Sequence, residues 1–157
     1  MAVVLDLFAT STDYNSSSEA AKSFFATVQN KMHYAIHHNT ASEMIYKRVD
    51  SDKEFMGLTN FKGELPTLSE AKIAKNYLAE NELKRLNALV SGYLDFAEMQ
   101  AQKEIPMTMK DWVAHVDRIL TATGEELLKD VGKITKKQML KKVELGLQER
   151  LYLRKTL

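Results

Sequence analysis

The sequence predicts an all-α protein: a single compact domain over residues 1–157, with six or seven helices and one ordered, glycine-containing loop. Three observations predict it. Apolar residues recur at spacings of three and four along most of the chain. Serine or threonine stands three residues ahead of an acid where several of these runs begin, the pattern that satisfies the free N–H groups of a first helical turn. Only six glycines and two prolines interrupt 157 residues, too few for a loop-rich sandwich.

The elements follow in order. Met1 to Phe8, apolar and without the basic start of a signal peptide, reads as the end of a helix entered midway. Over residues 1–9 this implies a preceding N-terminal region that has been removed. Ser16, Ser17 and Ser18 offer caps for a helix running to about His38, with Phe24, Phe25, Val28, Met32 and Ile36 recurring along it. Asn39 breaks that pattern. Thr40 and Glu43 form a capping box for a short helix to about Val49, with Met44, Ile45 and Val49 inward.

Asp50 to Pro66 has no helical period and contains Gly57 and Gly63; it reads as an ordered loop with an extended piece at Phe55 to Leu58. Thr67 and Glu70 make a second capping box, opening a short helix that carries Ala71, Ile73 and Ala74. A longer helix spans about Glu80 to Lys103. Leu83, Leu86, Val90, Tyr93, Leu94 and Ala97 form its stripe, and Leu89 and Phe96 widen it. A face that broad predicts a central helix buried from more than one side.

Pro106 ends this element. Thr108 and Asp111 open the next, with Trp112, Val113, Val116, Ile119 and Leu120 inside. Gly124 and Gly132 read as C-terminal caps, because glycine adopts left-handed angles without steric cost. Thr135 caps the last helix, lined by Met139, Leu140, Val143, Leu147 and Leu151, while Leu145 and Leu153 fall off that stripe.

Composition bounds the function classes. Hydrophobic residues make up 45% and charged residues 27%, ordinary for a soluble globular protein. The absence of cysteine excludes disulfide and thiolate chemistry. No apolar run approaches the roughly 20 residues of a membrane span. The net charge of +1 hides an asymmetry. Residues 1–132 carry 14 Lys+Arg against 19 Asp+Glu, a net −5, and residues 133–157 carry 8 against 2, a net +6. Such a tail suits phosphate, an acidic partner, the acidic body of another copy, or simply solvent.

Several phrases, taken in order, resemble the C-terminal region of the virulence protein RhuM family of bacteria. They are Phe24 to Lys31, Thr40 to Glu43, Met56 to Thr59 with Lys62 and Gly63, Lys75 to Leu78, Leu86 and Asn87, Tyr93 to Glu98, and Met107 to Trp112. Each is weak alone, but their order over roughly 100 residues is specific. The resemblance implies a two-part bacterial protein of the cytoplasm whose N-terminal region, missing from this chain, is described as DNA-binding. DNA contact is then expected through that region and not through these residues. The family supplies no catalytic residue to transfer and no cofactor.

Few constellations carry chemistry. His33 and His37 lie one turn apart, a spacing that chelates a metal, and Glu43 is a conceivable third ligand. The string lacks the glutamate of the metalloprotease motif, and surface or helix-end histidines are the plainer reading. RhuM-like regions also occur beside Fic toxins, but the stretch His37 to Thr40 lacks the glycine turn that a Fic loop needs to cradle phosphate. The loop from Gly57 to Gly63, with Thr59 and Lys62, could hold an anion on backbone N–H groups but lacks the Walker spacing; Phe55, Leu58 and Phe61 read as its structural anchors. Asn76, Asn87, Asp95, Glu98 and Asp117 sit among apolar residues and would need partners if buried, with Arg48 and Lys75 available for Asp95 or Asp117. Trp112, in the first turn of its helix, reads as a core anchor.

Two functions follow from different classes. The first is a non-enzymatic helical interaction module that mediates self-association, as a homodimer, or binds a protein partner. Its contact surface would use Leu145, Leu153, Lys137, Lys141 and Arg150. The alternative is a toxin-like enzyme or nucleotide-binding domain with a polar pocket of Arg48, Lys62, Asn76, Asn87 and Asp95. Direct nucleic-acid binding by the tail, from Lys133 to Lys155, is a third reading. It is weakened by the single interleaved aromatic, Tyr152. No cofactor or membrane partner is expected.

Overall fold

The structure, a computed structural model, describes residues 7, 9–15 and 17–156, with side chains to residue 154. The expected helix end over residues 1–9 lies, except for Leu7 and Ala9, outside the described residues, as do the Ser16 cap and the Lys155 side chain. Among the described residues the chain is all-α. The described residues form the helices α1 (Glu19–His37), α2 (Ala41–Arg48), α3 (Leu68–Ala71), α4 (Glu80–Gln102), α5 (Met109–Ala122) and α6 (Lys136–Thr156), and a 3₁₀ turn (Ala74–Tyr77). None of these helices is long and apolar enough to cross a membrane.

The described residues group into two compact units. The first joins the stretch ending at His38 to Lys84–Val131, and the second joins Asn39–Leu83 to the stretch from Gly132 onward.

In the first unit α1 packs on α5. Ser18 Oγ accepts from Ala21 N at 3.1 Å, which fixes the start of α1. The helix ends on His38, whose left-handed backbone (φ 60°) lets its N–H reach the Tyr34 carbonyl. Val28, Met32 and Ala35 of α1 are buried, as are Leu86, Tyr93 and Ala97 of α4 and Met109, Trp112, Val116 and Leu120 of α5. Tyr93 and Trp112 meet edge to face, with centroids 6.4 Å apart. The Tyr93 hydroxyl donates to the Trp112 carbonyl at 2.7 Å, so a buried phenol has its partner. Lys31 and Asp117 close an ion pair of 2.8 Å between α1 and α5.

In the second unit α2 packs on α6 and on the 3₁₀ turn, and α3 on α6. Met44, Ile45, Val49, Met56, Leu58, Ala71, Tyr77, Met139 and Val143 are buried. The capping boxes at Thr40, Thr67 and Thr108 form as the spacing predicts. Glu43 does more than cap α2: its second oxygen accepts from Lys133 N at 3.1 Å, tying the start of the C-terminal stretch to that helix.

Four expectations are corrected. Phe55 to Leu58 is a run of turns and not an extended piece, because Met56 and Gly57 both take left-handed angles, φ 56° and 90°. The broad apolar face of α4 is only partly covered: Leu86, Tyr93 and Ala97 are buried, but Leu83, Leu89, Val90, Leu94 and Phe96 are only half-buried. Gly132 is left-handed (φ 86°) but follows no helix; an added Cβ would stand 2.6 Å from Thr40 Cγ2, so the glycine serves close packing at the α2 cap. The short helix opened at Thr67 ends at Ala71, so Ile73 and Ala74, placed on it, lie beyond it, with Ile73 exposed; Leu151, placed on the apolar side of α6, is exposed as well.

Candidate interaction surface

Thr135 starts α6 by a reciprocal cap. Its N–H donates to Gln138 Oε1 at 2.8 Å, and its hydroxyl accepts from Gln138 N at 3.1 Å. One face of α6 is fixed inward by Met139 and Val143. The opposite face carries Leu145 and Tyr152, seven residues and thus two turns apart, which are 55% and 66% exposed. Leu151 is exposed beside them. Lys141 lies one turn before Leu145 on the same face, and it and Lys137 are exposed.

The flanks of the helix are engaged with their own unit. Lys142 donates to the Tyr46 carbonyl and lies 4.5 Å from the centroid of the Tyr46 ring. Arg150, expected at the contact surface, turns to the loop after α2, donating to the carbonyls of Ser51 and Asp52 at 3.4 Å each. Ser51 in turn donates to Glu149 at 2.9 Å. Leu153 is half-buried and Leu145 is not, so the two off-stripe leucines have different surroundings. A groove of about 420 Å³ runs beside Leu145, lined also by Lys47, Asp50, Lys142 and Gly146.

The residues expected at a polar pocket are placed as follows. Arg48, Lys62 and Asn76 belong to the second unit, Asn87 and Asp95 to the first. Arg48 pairs with Glu82, not with Asp95 or Asp117, and also donates to the Tyr77 carbonyl at 3.0 Å. The bond to Glu82 raises its already high pKa, against the effect of burial. Lys62 is exposed, and its backbone N–H donates to Glu70 Oε2 at 2.6 Å. Asn76 is buried and satisfied: its Nδ2 donates to the Glu70 carbonyl at 3.0 Å, and its own carbonyl accepts from Thr59 N at 2.7 Å. Lys62 and Asn76 thus meet through Glu70, in a network that holds the glycine loop down. Asn87, Asp95 and Glu98 are exposed on α4, so they are not buried polar groups in need of partners, and Lys75 is exposed as well.

The histidine pair is corrected in part. His37 ends α1, but His33 is 1% exposed and so is no surface residue. Its Nδ1 lies 3.0 Å from His37 Nε2. Burial, and then the neighbouring His37, push the His33 pKa down to about 3. Two nitrogens bonded to each other are not both free for a metal, and no group of three His, Cys, Asp or Glu among the described residues is placed to hold one. Sequence reasoning missed Glu82, the acid that Arg48 finds, and His115, buried against Phe96 at a centroid distance of 4.5 Å. His115 had a signal, since it stands three residues after Trp112 on the inward face of α5. Glu82 had only its place at the start of α4.

The model of the virulence protein RhuM family matches residues 2–152, nearly the whole chain, in agreement with the resemblance carried by its phrases. No curated protein and no solved structure matches.

Proposed function

The chain belongs to the virulence protein RhuM family, and on that premise we propose that it is a non-enzymatic helical interaction module that associates with a second copy of itself through the outward face of α6. One observation carries the reading: Leu145 and Tyr152, more than half exposed, share one face of a helix whose other face is anchored by Met139 and Val143. An apolar pair two turns apart, bordered by Lys137 and Lys141, has the composition of a contact surface. On the same premise we infer the bacterial cytoplasm as its location.

The competing enzymatic reading draws little support from its own residues. The Arg48 guanidinium is engaged with Glu82 and Tyr77, and Asn76 is engaged with loop backbone.

Sedimentation equilibrium over a wide concentration range tests the proposal. The weight-average mass of the wild type should rise with concentration, and that of Leu145→Asp should stay at one chain. A wild type that remains monomeric at every concentration overturns it.

A further inference from the structure

A second surface is left unexplained by the proposed function, and it lies in the first unit. A cleft of about 320 Å³ runs between α1, α4 and α5. Ala88, Leu89 and Gly92 of α4 and Ile119 of α5 give it an apolar lining, and Arg85 and Glu125 supply charge. It exists because α4 is under-covered: Leu89 belongs to its broad apolar face yet is only half-buried, and the small Ala88 and Gly92 leave room above it. An opening of that volume holds roughly ten waters, and releasing them from an apolar lining favours an apolar occupant.

Charge argues for what that occupant is. The segments of the first unit carry 8 Lys+Arg against 11 Asp+Glu, a net −3, while residues 133–157 carry a net +6. Pairing α6 with another α6 would set two such basic segments side by side, which costs Coulomb energy. Pairing α6 with the first unit of another copy sets basic against acidic and gives Leu145 or Tyr152 an apolar cleft to enter.

We propose that the α4 cleft receives the outward face of α6 from a second copy of this chain. The inference rests on the proposed self-association and adds its acceptor surface. The contact is heterologous, so each copy in a pair keeps one free cleft or one free α6, and association continues into a ring or an open chain instead of stopping at two.

Two variants test it, each blocking one half of the contact. Gly92→Arg fills the cleft with a bulky cation; a Cβ there meets no atom within 4 Å and Gly92 is exposed on its helix, so the backbone accepts a side chain. Ala88→Arg, also exposed on α4, does the same should Gly92→Arg fail to fold by circular dichroism. Leu145→Asp blocks the helix. Each variant alone should weaken association by about tenfold or more. An equimolar mixture of a cleft variant and Leu145→Asp should recover association and stop at a dimer, because one chain keeps an intact cleft and the other an intact α6.

A folded cleft variant that associates like the wild type overturns this inference and leaves the proposed function standing. So does a mixture that stays monomeric when both variants are folded. A monomeric wild type overturns both.

Discussion

Arg48 and Glu82 face each other as two parallel forks, with Nη1 2.6 Å from Oε1 and Nη2 2.8 Å from Oε2. The same Glu82 oxygen that takes Nη1 also accepts from Ala79 N at 2.9 Å, and Nη1 donates as well to the Tyr77 carbonyl at 3.0 Å. One carboxylate therefore fixes the end of α2 and the entry to α4. Arg48→Lys keeps the charge and loses the planar fork, and should cost about 1–3 kcal/mol. Urea unfolding midpoints decide it: an unchanged midpoint in Arg48→Lys and in Glu82→Ala would show the pair to be ornamental.

His33 should make stability depend on pH. Its pKa is about 3 in the folded chain and 6.5 when exposed, so the unfolded chain binds the proton first. Stability is then complete above 6.5 and declines as pH falls toward 3, by up to about 1.4 kcal/mol per pH unit within that window. Other groups also titrate there, so the test is a difference. Replacement of His33 by Leu should flatten the decline between pH 7.5 and 5 relative to wild type, whatever it does to stability at pH 7.5.

Gly57 and Gly63 are both left-handed, with φ of 90° and 64°, yet they should respond differently to alanine. A Cβ at Gly57 would collide with the Arg48 carbonyl oxygen, while one at Gly63 meets nothing within 4 Å. Gly63→Ala should cost about 1 kcal/mol, the backbone penalty alone. Gly57→Ala should cost several times that, because its neighbour is backbone and yields little. Equal melting temperatures for the two variants would refute the distinction.

Leu145 should matter to association and not to folding. Leu145→Asp should leave the unfolding free energy within about 0.5 kcal/mol of wild type, as for other exposed positions. Met139→Ala, on the buried face of the same helix, should cost about 2–5 kcal/mol. Raising the salt concentration should weaken wild-type association, because the basic segment from Lys133 onward contributes to it through exposed charges.

The elements were legible in the sequence where their cause is local. The boxes at Thr40, Thr67 and Thr108 join groups three residues apart, and each formed where the spacing placed it. Helix ends at His37 and Arg48 fell within a residue of expectation for the same reason. Pairings that depend on the path of the chain were not legible. Arg48 had several acids in reach of the imagination and chose Glu82, thirty-four positions away. Asp117 found Lys31 across eighty-six positions. The breadth of the α4 stripe was visible, but its covering depends on what packs there, and Leu89 remained half-bare. The candidate surface was legible in half: Leu145 stood off its stripe and proved exposed, whereas Arg150 turned out to serve its own loop.

The two units are woven from alternating stretches of chain: first unit, second unit, first again, second again. That ordering governs how the protein can emerge from a ribosome. By the time Val131 is made, every segment of the first unit exists, while Asn39–Leu83 still lacks the helix on which α2 and α3 pack. Until α6 is synthesised, α2 and α3 lack the helix on which they pack, a delay in which exposed apolar surface invites chaperones or aggregation. A stop codon placed before α6 would therefore strand the second unit's other half without its packing partner, and not merely shorten the protein at its edge.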